Sequence, residues 1–154
     1  MTHEYLLWIC TTAYAMHVME EHTYDWRDWA RTVLHLPVDW PTFYVTNGAV
    51  IVLGVSCAGI GWQLPEVSLA LPALMVINAI FFHAAPTIAK RVFSPGLLSA
   101  LILMLPVAWW TYRGAYQDGA LTTRAIVVST IVAALLMAYP IALLKTRDRL
   151  VPKP

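Results

Sequence analysis

The stretch of this chain richest in reactive side chains is His17-Val18-Met19-Glu20-Glu21. Residues three and four apart share a helix face, so the imidazole at 17 and the carboxylates at 20 and 21 can reach one point in space. A single cation could then touch an imidazole and a carboxylate from one turn, which makes His17, Glu20 and Glu21 candidate metal ligands. The spacing differs from HExxH, where two histidines hold zinc and the intervening glutamate is the base, so that protease mechanism is not carried over. Cys10 and Tyr14 lie two turns and one turn back, extending a polar column along an otherwise apolar helix. A second cluster, Asn78-Ala79-Ile80-Phe81-Phe82-His83, adds His83 as a ligand candidate and Asn78 as an orienting group. Five positions put Asn78 and His83 about 140° apart on a regular helix, so they share a pocket only by straddling it or through a distorted helix. Two histidines with one or two carboxylates suit zinc or iron, with Asn47, Asn78 or water completing the set and the remaining glutamate moving protons. Glu20, Glu21, Asn78 and Asn47 are therefore the catalytic candidates, and no motif implies an organic cofactor. The plain alternative is a hydrogen-bonded His/Glu/Asn network that locks helices together.

A third element, Arg91-Val92-Phe93-Ser94-Pro95-Gly96, reads as a helix start, with Ser94 as cap and Pro95 in the first turn. Its free N–H groups, beside Lys90 and Arg91, could receive a phosphate or carboxylate headgroup. Capping alone accounts for Ser94 and Pro95, and a positive-inside signal accounts for the two cations. Taken in order, the His17–Glu21 motif, the Asn78–His83 segment and the Ser94-Pro95-Gly96 turn resemble the HXXEE family of small bacterial integral membrane proteins. The similarity runs from the first helix through the start of the fourth, and more loosely to the end. It implies that His17, Glu20, Glu21, Asn78 and His83 belong together, and it implies no reaction and no cofactor.

The elements that must position these residues are membrane spans. Of the 154 residues, 59% are hydrophobic and only 12% charged, with a mean hydropathy of +0.62. A soluble globular domain carries about 25% charged residues, so this chain has roughly half the usual water-facing groups. A net charge of +1 leaves no basic excess for nucleic acid. Cys10 and Cys57 show no CxxC or Cys/His spacing, so neither a disulfide framework nor a zinc finger is expected. The apolar runs predict five spans: Tyr5 to Met19, Phe43 to Ile60, Val67 to Ala85, Leu97 to Tyr112 and Leu121 to Leu144. Helix is the only open-ended structure that satisfies its own backbone in lipid, and about 20 residues cross it. The first and fourth runs are short, and four spans with a re-entrant first segment is the other count. The expected fold class is therefore all-α: a polytopic membrane protein folded as a compact five-helix bundle, with four spans as the alternative.

One domain covers 1–154, with an interfacial segment at about 22–41 and a short cytoplasmic tail at 145–154. Trp26, Trp29 and Trp40 among acidic residues mark the interfacial segment, and Trp109, Trp110 and Tyr112 the opposite aromatic belt. The start lacks the Lys/Arg and small-residue cleavage pattern of a signal peptide and is expected to stay attached. Pro65, Pro86, Pro95 and Pro140 fall at or near span boundaries; Pro72 and Pro106 fall inside spans as kink sites.

One side of the five-span arrangement receives Arg27, Arg31, Lys90, Arg91, Lys145, Arg147, Arg149 and Lys153, and the other only Arg113 and Arg124. Eight against two places the C-terminus in the cytoplasm and the N-terminus outside, in a bacterial inner membrane. His17, Glu20, Glu21 and His83 then share the cytoplasmic face, with Asn47 and Tyr139 at similar depth. Polar groups near or within spans mark a cavity, a bundle interior or the headgroup region. The expected function is a metal-dependent membrane enzyme acting on a lipid or other apolar small molecule, its reaction type left open. The alternatives are a small proton-coupled transporter, and a non-catalytic interaction subunit packing through Gly48, Gly54, Gly59 and Gly61. Homo-oligomer formation is left open, and it would answer the objection that the chain is small for a transporter.

Overall fold

A computed structural model describes residues 2–150, with side chains described for all of these except residue 143 and residues 145–150; among them there is no strand. The chain forms α1 (Tyr5–Thr23), α2 (Trp26–Val33), α3 (Trp40–Ile60), α4 (Pro65–Lys90), α5 (Leu97–Gln117) and α6 (Thr123–Leu150). Among the described residues, four helices are long and apolar enough to cross a membrane: α3 with its following turn, α4, α5, and α6 as far as Ala142. α1 is shorter, 19 residues, but runs the length of the bundle. Glu4 beside its start accepts the Trp62 backbone N–H at the end of α3, and Glu21 in its last turn faces His83 near the end of α4.

The helices start and stop where local chemistry allows. Asp39 caps α3 by accepting the Thr42 N–H at 2.9 Å, with Pro41 in the first turn, where a missing N–H costs nothing. Gly61, at φ +57°, ends it; a Cβ there would lie 2.6 Å from Glu4 Oε1. Several expected boundaries move outward. Pro86 and Pro140 lie inside helices, because hydrogen bonding continues about a turn or more beyond the apolar runs. The proposed tail from 145 continues α6 to Leu150. Lys153 lies outside the described residues, as do the side chains of Lys145, Arg147 and Arg149. α4 is broken at Leu69, three residues before Pro72, and widened into a π-helical turn over Ala79–Ala84, just before Pro86. α5 repeats the pattern, with a π turn over Ala100–Met104 just before Pro106. A proline ring crowds the carbonyl four residues back and offers it no N–H, and a wider turn relieves both.

α4 is the hub: 61% of its apolar window is buried inside the bundle, against 17% for α3 and for α6, which leaves those two to face lipid. Leu71, Leu74 and Met75 of α4 pack with Cys10 and Tyr14 of α1, Met104 and Val107 of α5 and Ala133 of α6. Gly54 permits the close approach of α1 and α3, since a Cβ there would lie 2.6 Å from Thr11 Oγ1. Gly48 and Gly59 have no such neighbour and face outward.

The bundle has two polar ends. At one, the Asp118 carboxylate accepts from the His3 backbone N–H and the Trp62 indole, and pairs with the His3 ring, Nδ1 to Oδ1, at 2.8 Å. Arg124 pairs with Glu66 at that end. At the other end lie the C-terminal turns of α1 and α4, the starts of α3 and α5, and α2. Trp29, Ala30, Leu36 and Val38 pack there with Phe43 and Leu144, so the segment after α1 folds onto the bundle.

Candidate metal centre

Three side chains from two helices converge at this second end. His17 and Glu21, one turn apart on α1, and His83, in the π turn of α4, each offer one ligand atom, and the three atoms lie within 4.8 Å of one another. His17 Nε2 is 3.6 Å from Glu21 Oε1 and His83 Nε2 is 3.4 Å from the same oxygen. Both histidines are fully buried and Glu21 is 3% exposed. The rings meet edge to face with centroids 4.7 Å apart. His83 sits inside the π turn, whose bonds span five residues and so turn its ring from the direction a regular helix would give it. Asn78 precedes that turn and lines the cavity beside Glu21, in a wall that does not include His83.

Two serines meet the far nitrogens of the rings. Ser99 Oγ lies 3.0 Å from His17 Nδ1, and Ser94 Oγ lies 3.0 Å from His83 Nδ1. Ser99 Oγ also lies 3.3 Å from the Gly96 carbonyl oxygen and Ser94 Oγ 3.2 Å from the Pro95 carbonyl oxygen. A serine that gives its proton to that carbonyl accepts from Nδ1, and an imidazole protonated on Nδ1 presents a bare Nε2. Both Nε2 atoms face the Glu21 carboxylate, and neither has a hydrogen-bond partner. In the Nδ1-protonated tautomer two imidazole lone pairs and a carboxylate oxygen converge, an arrangement that a cation satisfies.

Glu20 points to a different task. Its carboxylate accepts the Gly96 N–H at 3.2 Å and the Ser99 N–H at 2.7 Å, capping the start of α5. The chain thus supplies its own anion to N–H groups that were open, on sequence, to a headgroup. Ser94 is not the cap of α5. The helix begins after Gly96, at φ +90°, and Ser94 serves His83 instead while its own N–H bonds Thr87 Oγ1. Gly96 closes over the triad, where a Cβ would lie 2.7 Å from His83 Cε1, 2.8 Å from His17 Cε1 and 2.9 Å from Glu21 Cγ. Only glycine combines that φ with that space.

Asn47 and Asn78 border the triad without joining it. Tyr14 donates to Asn47 Oδ1 at 2.6 Å, and Asn47 donates to the Phe43 carbonyl at 3.0 Å. Asn78 Oδ1 is buried without a partner. These residues and Glu21 lie in the wall of a cavity of about 90 Å³ between α3 and α6, otherwise mostly apolar. Tyr139, at similar depth, is 65% exposed and points away. Cys10 is spent on Thr111, at 3.1 Å. The sequence reading missed Ser99 and the roles of Ser94 and Gly96. The Ser-Pro-Gly turn signalled two of them, and nothing marks Ser99 in an apolar run.

A family model described as a protein of unknown function with an HXXEE motif matches residues 8–111. The chain is 33% identical over 79 residues to the uncharacterized protein YrkK of Bacillus subtilis (strain 168), an alignment covering 51% of this chain and 50% of that protein. It thus spans about half the length of the curated relative it matches. No solved structure matches the chain.

Proposed function

Because the chain belongs to the HXXEE family, whose description names a motif and no reaction, we propose its function from the site itself: a metal-dependent membrane enzyme acting on a lipid or other apolar molecule. His17, His83 and Glu21 hold a divalent ion, zinc or iron. The observation that carries this reading is the meeting of two buried Nε2 atoms without hydrogen-bond partners and a carboxylate oxygen. Their spacing supports it. Ligands about 2.0 to 2.2 Å from a tetrahedral zinc are about 3.3 to 3.6 Å apart, and the two nitrogen–oxygen distances are 3.6 and 3.4 Å. The third pair, the two Nε2 atoms, is within 4.8 Å, so the spacings suit a divalent ion without choosing zinc over iron. Three protein ligands with a fourth position open is the pattern of catalytic zinc.

A cation there supplies Lewis-acid polarisation of a carbonyl or phosphoryl oxygen, or a water acidic enough to react at neutral pH. The serines hold the rings in the ligating tautomer, and Glu20 fixes the turn that carries Ser99 and Gly96. Asn78 and the Tyr14–Asn47 pair orient a bound molecule from the cavity side. The Lys/Arg bias supports a cytoplasmic position for this end. The same convergence supports a second reading, a proton shared among the three groups in a small transporter. Separations of 3.4 and 3.6 Å are long for such a hydrogen bond, which favours the metal.

Element-resolved metal analysis of the detergent-purified protein after mild chelation, beside His17→Ala and His83→Ala, tests the proposal. Near-stoichiometric metal in wild type that falls in both variants is expected. Absence of metal in wild type, even after controlled reloading, overturns the metal and favours the proton.

A further inference from the structure

The cavity beside the triad has a wall whose chemistry selects its occupant. It lies between α3 and α6, the two helices with least burial, over a floor formed by α1 and α4. Val50, Leu136 and Met137 make its sides apolar. Two polar atoms of the lining residues are buried without partners, the acceptor Asn78 Oδ1 and the donor Trp26 Nε1–H. An unpaired buried acceptor is costly unless a ligand completes it. Among the described side chains no Lys or Arg lines the cavity, and its carboxylate, Glu21, faces the histidines. A phosphate or carboxylate head would therefore enter beside an anion.

We propose that this cavity binds a neutral single-chain amphiphile with a hydroxyl head, entering from the bilayer between α3 and α6 and donating its hydroxyl proton to Asn78 Oδ1. The apolar sides take the chain, and the narrow volume suits a slender hydrocarbon. Glu21 belongs to both the cavity wall and the ligand triad, so a head at Asn78 lies next to the candidate centre. The inference deepens the enzyme reading by naming its substrate class, and rests on that reading for its catalytic meaning.

Photo-crosslinking in lipid nanodiscs tests it, with a long straight-chain alcohol carrying a diazirine in its chain as probe. The matching alkane and carboxylate serve as comparisons. In wild type the alcohol should label the segments containing Val50, Leu136 and Met137 above the outward-facing Val45 and Ile131. Asn78→Leu, close in size and apolar, should lower alcohol labelling roughly three- to ten-fold, the loss of one hydrogen bond, and leave the alkane unchanged. Leu136→Trp, on a part-exposed position of α6, should block labelling by the alcohol while leaving the triad intact. Equal alcohol labelling in Asn78→Leu, carboxylate labelling as strong as the alcohol's, or labelling spread evenly over the outer faces overturns the proposal. A protein that holds no metal yet labels in the expected pattern keeps this site and loses the catalytic reading. Metal without that pattern does the reverse.

Discussion

His17 and His83 each meet a serine hydroxyl at the nitrogen that faces away from Glu21. A serine that accepts from Nδ1 both orients the ring and keeps Nε2 bare, the task outer partners perform around metal-bound histidines. Ser99 is placed for this task at His17 and Ser94 at His83, each at 3.0 Å. Replacing either by alanine leaves the three ligand atoms present but frees one ring to rotate and change tautomer. Ser94→Ala and Ser99→Ala should each weaken zinc affinity about 10- to 100-fold while the purified protein keeps its helical content. Competition with a chromophoric chelator measures the affinity, and wild-type affinity in both variants would remove the serines from the site. Gly96 acts at the same scale by omission, because any Cβ at that position would press on all three ligands.

Within the helices, the two π turns decide which side chains meet. Each ends just before a proline, Ala79–Ala84 before Pro86 and Ala100–Met104 before Pro106. The first turn carries His83. The second follows Ser99 directly, so both sides of the site are built beside widened helix. Pro86→Ala restores an N–H able to bond the Phe82 carbonyl and removes the ring that crowds it. The variant should therefore melt at a higher temperature and bind zinc at least ten-fold more weakly, as α4 tightens and turns His83 from Glu21. A higher melting temperature with unchanged zinc affinity would show that the π turn persists without the proline. Opposite movement of stability and binding is the signature of strain kept for a site.

Across the whole molecule, the two polar ends do different work. The end away from the triad is a tie. Burial works against the charged form of Asp118, but hydrogen bonds from the His3 backbone, the His3 ring and the Trp62 indole outweigh it and hold the carboxyl below its ordinary range. A lowered folded-state value stabilises the fold above the unfolded-state range and loses that contribution as pH falls through the folded value. Melting of wild type and Asp118→Asn should accordingly differ most near neutral pH and converge in acid below about pH 4. A constant difference across pH would mean that packing, and not charge, holds the tie. Orientation is also a property of the whole chain. Single cysteines at the C-terminal ends of α1 and α4, in a background with Cys10 and Cys57 removed, should both label from the cytoplasmic side in intact cells. Labelling of either from outside would reverse the proposed topology.

The solvent of this protein was written in its composition, because a chain this poor in charge can satisfy its backbone in lipid only as helix. The order of spans and the assembly of His17, Glu20, Glu21 and His83 at one end were legible too, since alternating helices return every second connection to the same side. Sequence spacing left open whether Asn78 and His83 could share a face. A regular helix turns 100° per residue, and only the folded chain shows the π turn over Ala79–Ala84, just before Pro86, that carries His83. The division of labour between neighbouring glutamates was equally beyond the motif. Glu20 and Glu21 differ by one position, and which meets the histidines and which caps α5 depends on where the loop through Gly96 crosses α1. The tie of His3, Trp62 and Asp118 left no trace in the linear pattern, because its members come from distant positions and each is ordinary alone. Hydropathy and charge act through the surrounding solvent and can be read one residue at a time. Hydrogen bonds between distant residues exist only after packing has brought the partners within about 3 Å.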